Sequence, residues 1–299
     1  MNSGPPVAAA PAGLSGLAGQ LLLHPGAPLG HSLINRRPSG LVRVLRGQPA
    51  QALPGLLASL FSLCGPVHRL GATLALRSAA TGSAATPVDG EVRLLQLHTL
   101  RCHVQAVLMD WPRRLAPDAA QADAGTSAGL ALLAGSPLRA AWPVDASAQA
   151  GQLADWARWL AAHLFHQPLA EWLAAWQADP PSALQAWVNQ TAAASPVARW
   201  LQQAQPWAGV PLPDQAPLLP HARPQDLPAL LATQLALAQP GPQWQGCCAH
   251  TGPWTRLADA AAEPPATALN TPWLRLGARL ADLAQLAMPD GSPAQGLQR

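Results

Sequence analysis

The sequence predicts a mainly α protein of the α+β kind: a helical core carrying a small N-terminal β-sheet. Two patterns predict it. From Gln51 onward, apolar residues recur at helical spacing, with repeated faces as far as Leu286. Before that point the apolar stretches are short and bounded by Gly and Pro, in the manner of strands. Hydrophobic residues make up 49% of the 299-residue chain, too many for a disordered polymer.

The elements follow in order. Residues 1–13 are rich in Pro, Ala and Gly and read as a disordered tail. Residues 14–50 form the expected β region, with strands over Leu17–Leu23 and Leu41–Leu45. Residues 51–299 form the expected helical domain. Its first helix carries Leu53, Leu57, Leu60 and Phe61 on one face, and Gly65-Pro66 interrupts it. A second helix starts near Pro66, because proline lacks only an N–H that the first turn leaves unbonded. A loop is expected over Thr81–Gly90. The strongest pattern is Glu91–Trp111, with Leu94, Leu97, Leu100, Val104, Val107 and Leu108 in one wide face and Pro112 as its stop. Residues 115–150 are low in complexity and are expected as a loop or insertion. Helical spacing returns at Leu153, Trp156, Leu160 and Leu164, then around Trp172 and Trp176, then at Leu184, Trp187 and Val188. Residues 205–224 read as a Pro-rich extended connection. Leu227–Leu237 and Trp273–Leu286 read as further helices.

Composition excludes several classes. The 18 basic residues, all arginine, against 15 acidic ones give a net charge of +3 without basic runs, which speaks against nucleic-acid binding. No apolar run reaches the ~18 residues of a membrane-spanning helix. Met1–Gly13 has neither a basic start nor a long apolar core, so no signal peptide is expected. Four cysteines in such a chain are no disulfide framework, and a cytoplasmic protein with reduced thiols is expected. There is no Gly-x-Gly-x-x-Gly, no phosphate-binding loop, no Gly-x-Ser-x-Gly and no Cys-x-x-Cys.

Three clusters combine thiols, imidazoles and guanidinium groups. In Cys64-Gly65-Pro66-Val67-His68-Arg69, a helix beginning at Pro66 places Cys64 just outside its N-terminus. The free N–H groups of a helix start favour anionic sulfur, the form that a soft metal binds. An inert cysteine at a helix junction fits the same residues. The second cluster is His98, Cys102 and His103. His98 and Cys102 share a helix face and read either as two metal ligands or as a half-buried imidazole beside a small apolar thiol. The third runs from Cys247-Cys248 through His250-Thr251-Gly252-Pro253 to Arg256, where the Thr-Gly-Pro turn is more informative than the thiols.

The run Arg43-Val44-Leu45-Arg46-Gly47, followed by Leu60-Phe61-Ser62-Leu63-Cys64-Gly65-Pro66-Val67-His68-Arg69, resembles the N-terminal part of the [NiFe]-hydrogenase large subunit. More specifically, it is similar to the altered form seen in HupK/HoxV-type hydrogenase maturation proteins. The catalytic subunit carries Cys-x-x-Cys here, then a histidine. Cys64 and His68 match the second cysteine and the histidine, and Phe61 stands in the place of the first cysteine. The segment from Leu97-His98 to Arg113 resembles the family's long helix. His250-Thr251-Gly252-Pro253 resembles its Glu-Thr-Gly turn, with His250 in the glutamate's place, and Arg279-Leu280 resembles the helix that follows.

The resemblance implies a non-catalytic assembly protein shaped like a reduced large subunit. It implies transient binding of an iron–cyanide–carbonyl fragment at Cys64, with His68 hydrogen-bonding nearby. His98, Cys102, His103 and Arg256 are further candidates. No stable nickel is expected, because the nickel-only thiolate is Phe61 here and no cysteine follows Cys248; the chain is expected to be short at its C-terminus relative to the family. The implied partners are the hydrogenase large-subunit precursor and accessory maturation proteins. Two other functions fit the residues less well: a metal-free binding module that mimics the large subunit to engage maturation chaperones, and a thiol enzyme, which lacks an orienting third group.

Overall fold

Among the described residues of the computed structural model, the first helix of more than one turn starts at Leu53, with Pro54 in its first turn. Proline there forfeits no intrahelical bond. The structure describes residues 21–27, 33–35, 45–61, 64–83, 85–139, 145–211, 216–217, 243–244, 247–250, 252–253 and 271–288. The chain divides into two units, Met1–Leu76 and Arg77–Arg299, where the sequence pattern placed the change at residue 50. Among the described residues no helix is long and apolar enough to cross a membrane.

In the first unit, β1 (Leu21–Leu23) pairs antiparallel with β2 (Leu33–Asn35), Leu22 opposite Ile34. The expected N-terminal β-sheet needs correction. Among the described residues this region holds one three-residue pair in its place, and the described part of the chain is mainly helical. Of the second expected strand only Leu45 is described, and it is helical; residues 41–44 lie outside the described ones. The physical reason is length, since two strands with three rungs bury too little to make a sheet. The unit continues with α1 (Leu53–Leu60), entered through a 3₁₀ turn at Ala50–Ala52, and α2 (Gly65–Thr81). The expected tail at 1–13 lies outside the described residues.

The second unit opens on the last residues of α2 and continues with α3 (Asp89–Gln105). Its start is fixed by Glu91, whose carboxylate accepts from the Val88 N–H (3.0 Å) and pairs with Arg77. Pro112 does not stop this helix. The chain passes through a π-helical turn, Ala106–Asp110, into α4 (Trp111–Leu115), and Pro112 falls in the first turn of α4, where it is tolerated.

The expected loop at 115–150 needs correction too. It holds α5 (Ala119–Ala134), a 3₁₀ turn at Pro137–Arg139 and the start of α6 (Ala146–Leu160). Alanine-rich sequence is strong helix former, and Asp118 and Asp145 cap the two helices by accepting from Gln121 N–H (2.8 Å) and Ala148 N–H (2.8 Å). A second π-helical turn, Ala161–Phe165, ends α6, and His166 leaves it in the left-handed region (φ 54°).

Next come α7 (Leu169–Ala178), α8 (Pro180–Thr191) and α9 (Pro196–Ala208). The last of these takes residues 205–208 out of the expected extended connection, with Pro206 inside the helix. Among the described residues three short strands follow: β3 (Ala216–Pro217), β4 (Gln243–Trp244) and β5 (Cys247–His250). The central β5 pairs parallel to β3 and antiparallel to β4. The expected helix at 227–237 lies outside the described residues. The last described element is α10 (Pro272–Ala287), capped by Thr271.

The core of this unit is one apolar cluster drawn from α3 to α10. Tryptophan dominates its centre. Phe165 and Trp187 stand against Trp172, and Trp172 stacks on Trp176 with rings 5.7 Å apart and nearly parallel. Alanine and glycine on α10 let these indoles approach. A methyl group on Gly277 would lie 2.4 Å from the Trp176 ring.

Candidate functional site

Cys64 owes its position to a helix junction in the first unit. After Leu60, Phe61 leaves helical geometry (φ −111°, ψ 69°) while its N–H still donates to Leu57 O (3.1 Å). The next helix starts at Gly65, and the Cys64 carbonyl accepts its first bond, from the His68 N–H at 3.0 Å. Cys64 is thus the residue at the mouth of α2. Gly65 is buried, and a methyl group there would lie 2.5 Å from the Ala58 carbonyl oxygen. Only glycine lets α2 begin so close to α1.

The Cys64 thiol is unoxidised and exposed. His68, one turn along, is half-buried, and the Phe61 ring stacks on its imidazole, 3.9 Å centre to centre and 22° from parallel. The aromatic side chain that stands at the expected nickel-cysteine position therefore orients the histidine. An exposed thiol at a helix mouth, followed one turn later by a clamped imidazole, can offer one sulfur ligand and a hydrogen-bonding neighbour.

In the second unit, α3 places His98 and Cys102 one turn apart, His98 buried and Cys102 half-buried. Beside them, the Arg101 guanidinium donates to Leu138 O (3.0 Å). Burial pushes Arg101 below its ordinary value, and Cys102 acts in the opposite sense. His103 is engaged elsewhere: its Nε2 lies 2.7 Å from Asp282 Oδ2 on α10, and both residues are buried. Gln96, also on α3, donates through Nε2 to Leu286 O (2.6 Å). Two polar contacts therefore tie α3 to α10. Neither Asp282 nor Gln96 was singled out from sequence. The available signal was a lone acid in the Leu280–Leu286 run, which is apolar apart from Asp282 and Gln285.

Cys247, Cys248 and His250 lie on β5, with Cys248 opposite Gln243 and Cys247 opposite Trp244. Gly252 adopts φ 128°, a value that suits glycine in the expected turn. Arg256 lies outside the described residues.

Fold and site together define a helical protein that presents an exposed thiol at a helix mouth. Comparison with known proteins makes this specific. The chain is 35% identical over 284 residues to the hydrogenase expression/formation protein HoxV of Cupriavidus necator, covering 94% of this chain and 70% of the relative. The chain belongs to the HoxV family of hydrogenase expression/formation proteins, as the motif around Cys64 suggested. No protein-family model matches the sequence, and no solved structure matches it.

Proposed function

We propose that this protein acts in the formation of a [NiFe] hydrogenase, as an assembly factor that holds the iron–cyanide–carbonyl fragment as cargo for the large-subunit precursor. The observation that carries this reading is the exposed Cys64 thiol at the mouth of α2, in a chain of the HoxV family. A single protein thiolate suits a carrier. One sulfur–iron bond can hold a fragment already saturated by its own ligands and still let it go, whereas several thiolates would trap it. His68, clamped by Phe61, serves by hydrogen bonding near the cargo, as neighbours of metal ligands commonly do. The protein itself carries out no hydrogen chemistry and holds no resident nickel. Its partners are the large-subunit precursor and accessory maturation proteins.

The test is Cys64→Ser in a host that depends on this protein for hydrogenase formation. Active hydrogenase is expected to fall by roughly tenfold or more, the scale of loss seen when the surroundings of a bound metal are disturbed. Cys102→Ser, Cys247→Ser and Cys248→Ser are expected to have mild effects. Infrared spectra of anaerobically purified protein should show cyanide and carbonyl stretches that vanish in Cys64→Ser. Equal, mild effects of all four substitutions would leave the metal-free binding module as the better reading. Stoichiometric nickel that resists chelators would contradict the carrier.

A further inference from the structure

Phe61 and His68 flank the helix junction that presents Cys64. Phe61 follows the last residue of α1, and its N–H still donates to Leu57 O (3.1 Å). His68 is the fourth residue of α2, and its N–H donates to the Cys64 carbonyl (3.0 Å). Both side chains are half-buried. The contact between their rings therefore bridges α1 and α2 at the residue that carries the thiol.

With centres 3.9 Å apart and planes 22° from parallel, the Phe61 ring lies against a face of the imidazole. The ring nitrogens of histidine sit on its edge, so a face contact does not use them. What the contact restricts is rotation. The outer side-chain torsion of histidine is broad when nothing packs on the ring. With Phe61 against one face, the ring plane is set, and with it the directions in which the two nitrogens point. The backbone below is set as well, because Gly65 sits against the Ala58 carbonyl and Cys64 accepts from the His68 N–H. Thiol and imidazole thus belong to one restrained turn.

We propose that Phe61 is a positioning residue that sets how long the cargo stays on Cys64, acting through His68. This role rests on the carrier reading. An imidazole held in one plane keeps its N–H aimed at an acceptor atom of the sulfur-bound fragment, whereas one free to turn shares that bond with water. Release is a ligand exchange at iron. An incoming thiol gives up its proton and its sulfur bonds to iron, the bond from iron to the Cys64 sulfur breaks, and that sulfur takes up a proton. Iron keeps its oxidation state. The hydrogen bond from His68 breaks on the same path, so a better-aimed imidazole slows release. The size of the effect is bounded by the stack itself, which for an aromatic pair is a factor of about two to ten.

The test uses the full chain purified anaerobically with its cargo. Dithiothreitol is added as the incoming thiol, and infrared spectra after gel filtration follow the cyanide and carbonyl stretches that remain with the protein. The rate is read per loaded chain, so a variant that loads less cargo is still measured. Phe61→Leu is expected to release about two- to tenfold faster than the parent. Phe61→Tyr keeps a ring for the stack and should restore slow release. His68→Ala should release at least as fast as Phe61→Leu, and adding Phe61→Leu to it should change nothing more, since Phe61 then has no imidazole to hold. In the unloaded chain, the His68 ring protons should resonate upfield through the Phe61 ring current and move downfield in Phe61→Leu. The proposal is overturned if that upfield shift is missing, if Phe61→Leu releases no faster than the parent, if Phe61→Tyr releases as fast as Phe61→Leu, or if Phe61→Leu speeds release equally in the His68→Ala background. A parent without cyanide and carbonyl stretches overturns the carrier reading and this role with it. A loaded parent matched by Phe61→Leu overturns the role of Phe61 alone.

Discussion

Gly65 controls where Cys64 sits. The carbonyl of Ala58 fills the space that any side chain at position 65 would need, so the direction in which α2 leaves the junction depends on the missing methyl group. Gly65→Ala is expected to shift the helix mouth and to lower hydrogenase formation nearly as far as Cys64→Ser does. Gly71→Ala, on the same helix with open space around it, is the control and should leave maturation unchanged. A Gly65→Ala protein with full maturation activity would show that the junction geometry is not needed. At the same scale, His103 contributes to stability. It sits in the core against the Asp282 carboxylate, and losing a hydrogen bond between buried groups costs about 1–3 kcal/mol. His103→Leu should therefore lower the melting temperature by roughly 2–12 °C, at about 2–4 °C per kcal/mol for a unit of this size. A change under about 2 °C, below the effect of even 1 kcal/mol, would mean that the pair is replaced at little cost.

Among the elements, α5 was the least legible in the sequence. Its Ala, Gly and Ser content reads as featureless because nothing in it marks an apolar face. The structure shows that small residues are themselves the packing surface. The buried residues of α5 are Gly125 and Gly129, one turn apart. A methyl group on Gly129 would lie 1.9 Å from the Leu108 carbonyl oxygen, and one on Gly125 would lie 2.9 Å from Pro112 Cβ. Leu108 O is the acceptor that Pro112, four residues on, has no N–H to serve. The π-turn and Pro112 thus shape the surface that α5 covers.

By contrast, α3, α6, α7 and α8 were legible, because large apolar residues at helical spacing mark the face they bury. The Cys64 junction was legible for a related reason: Gly65-Pro66 can only break one helix and start another. The His103–Asp282 pair was not legible, since it joins residues 179 positions apart. Gly129→Ala tests the account of α5. It gains nearly 1 kcal/mol of helix propensity but overpacks against backbone that cannot yield, at a cost of about 3 kcal/mol or more. Net destabilisation by thermal melting is expected. Gly151→Ala on α6, where nothing lies within 4 Å, should be neutral or slightly stabilising.

The two units differ most in what they bury. Every described member of the apolar core belongs to the second unit, from Leu97 on α3 to Ala287 on α10. In the first unit Gly65 is the only buried residue among those whose burial is described. Stability at this scale follows buried apolar area, at about 25 cal/mol per Å². The Arg77–Arg299 portion therefore contains the means to fold by itself. Expressed alone, residues 77–299 should give a helical spectrum, one cooperative thermal transition and a near-ultraviolet signal from the packed cluster of Trp172, Trp176 and Trp187. The same fragment lacks Cys64, so it should fail to support hydrogenase formation while remaining folded. A fragment that melts without cooperativity would show that the apolar cluster does not suffice. A folded fragment that restores maturation would remove Cys64 from the function altogether.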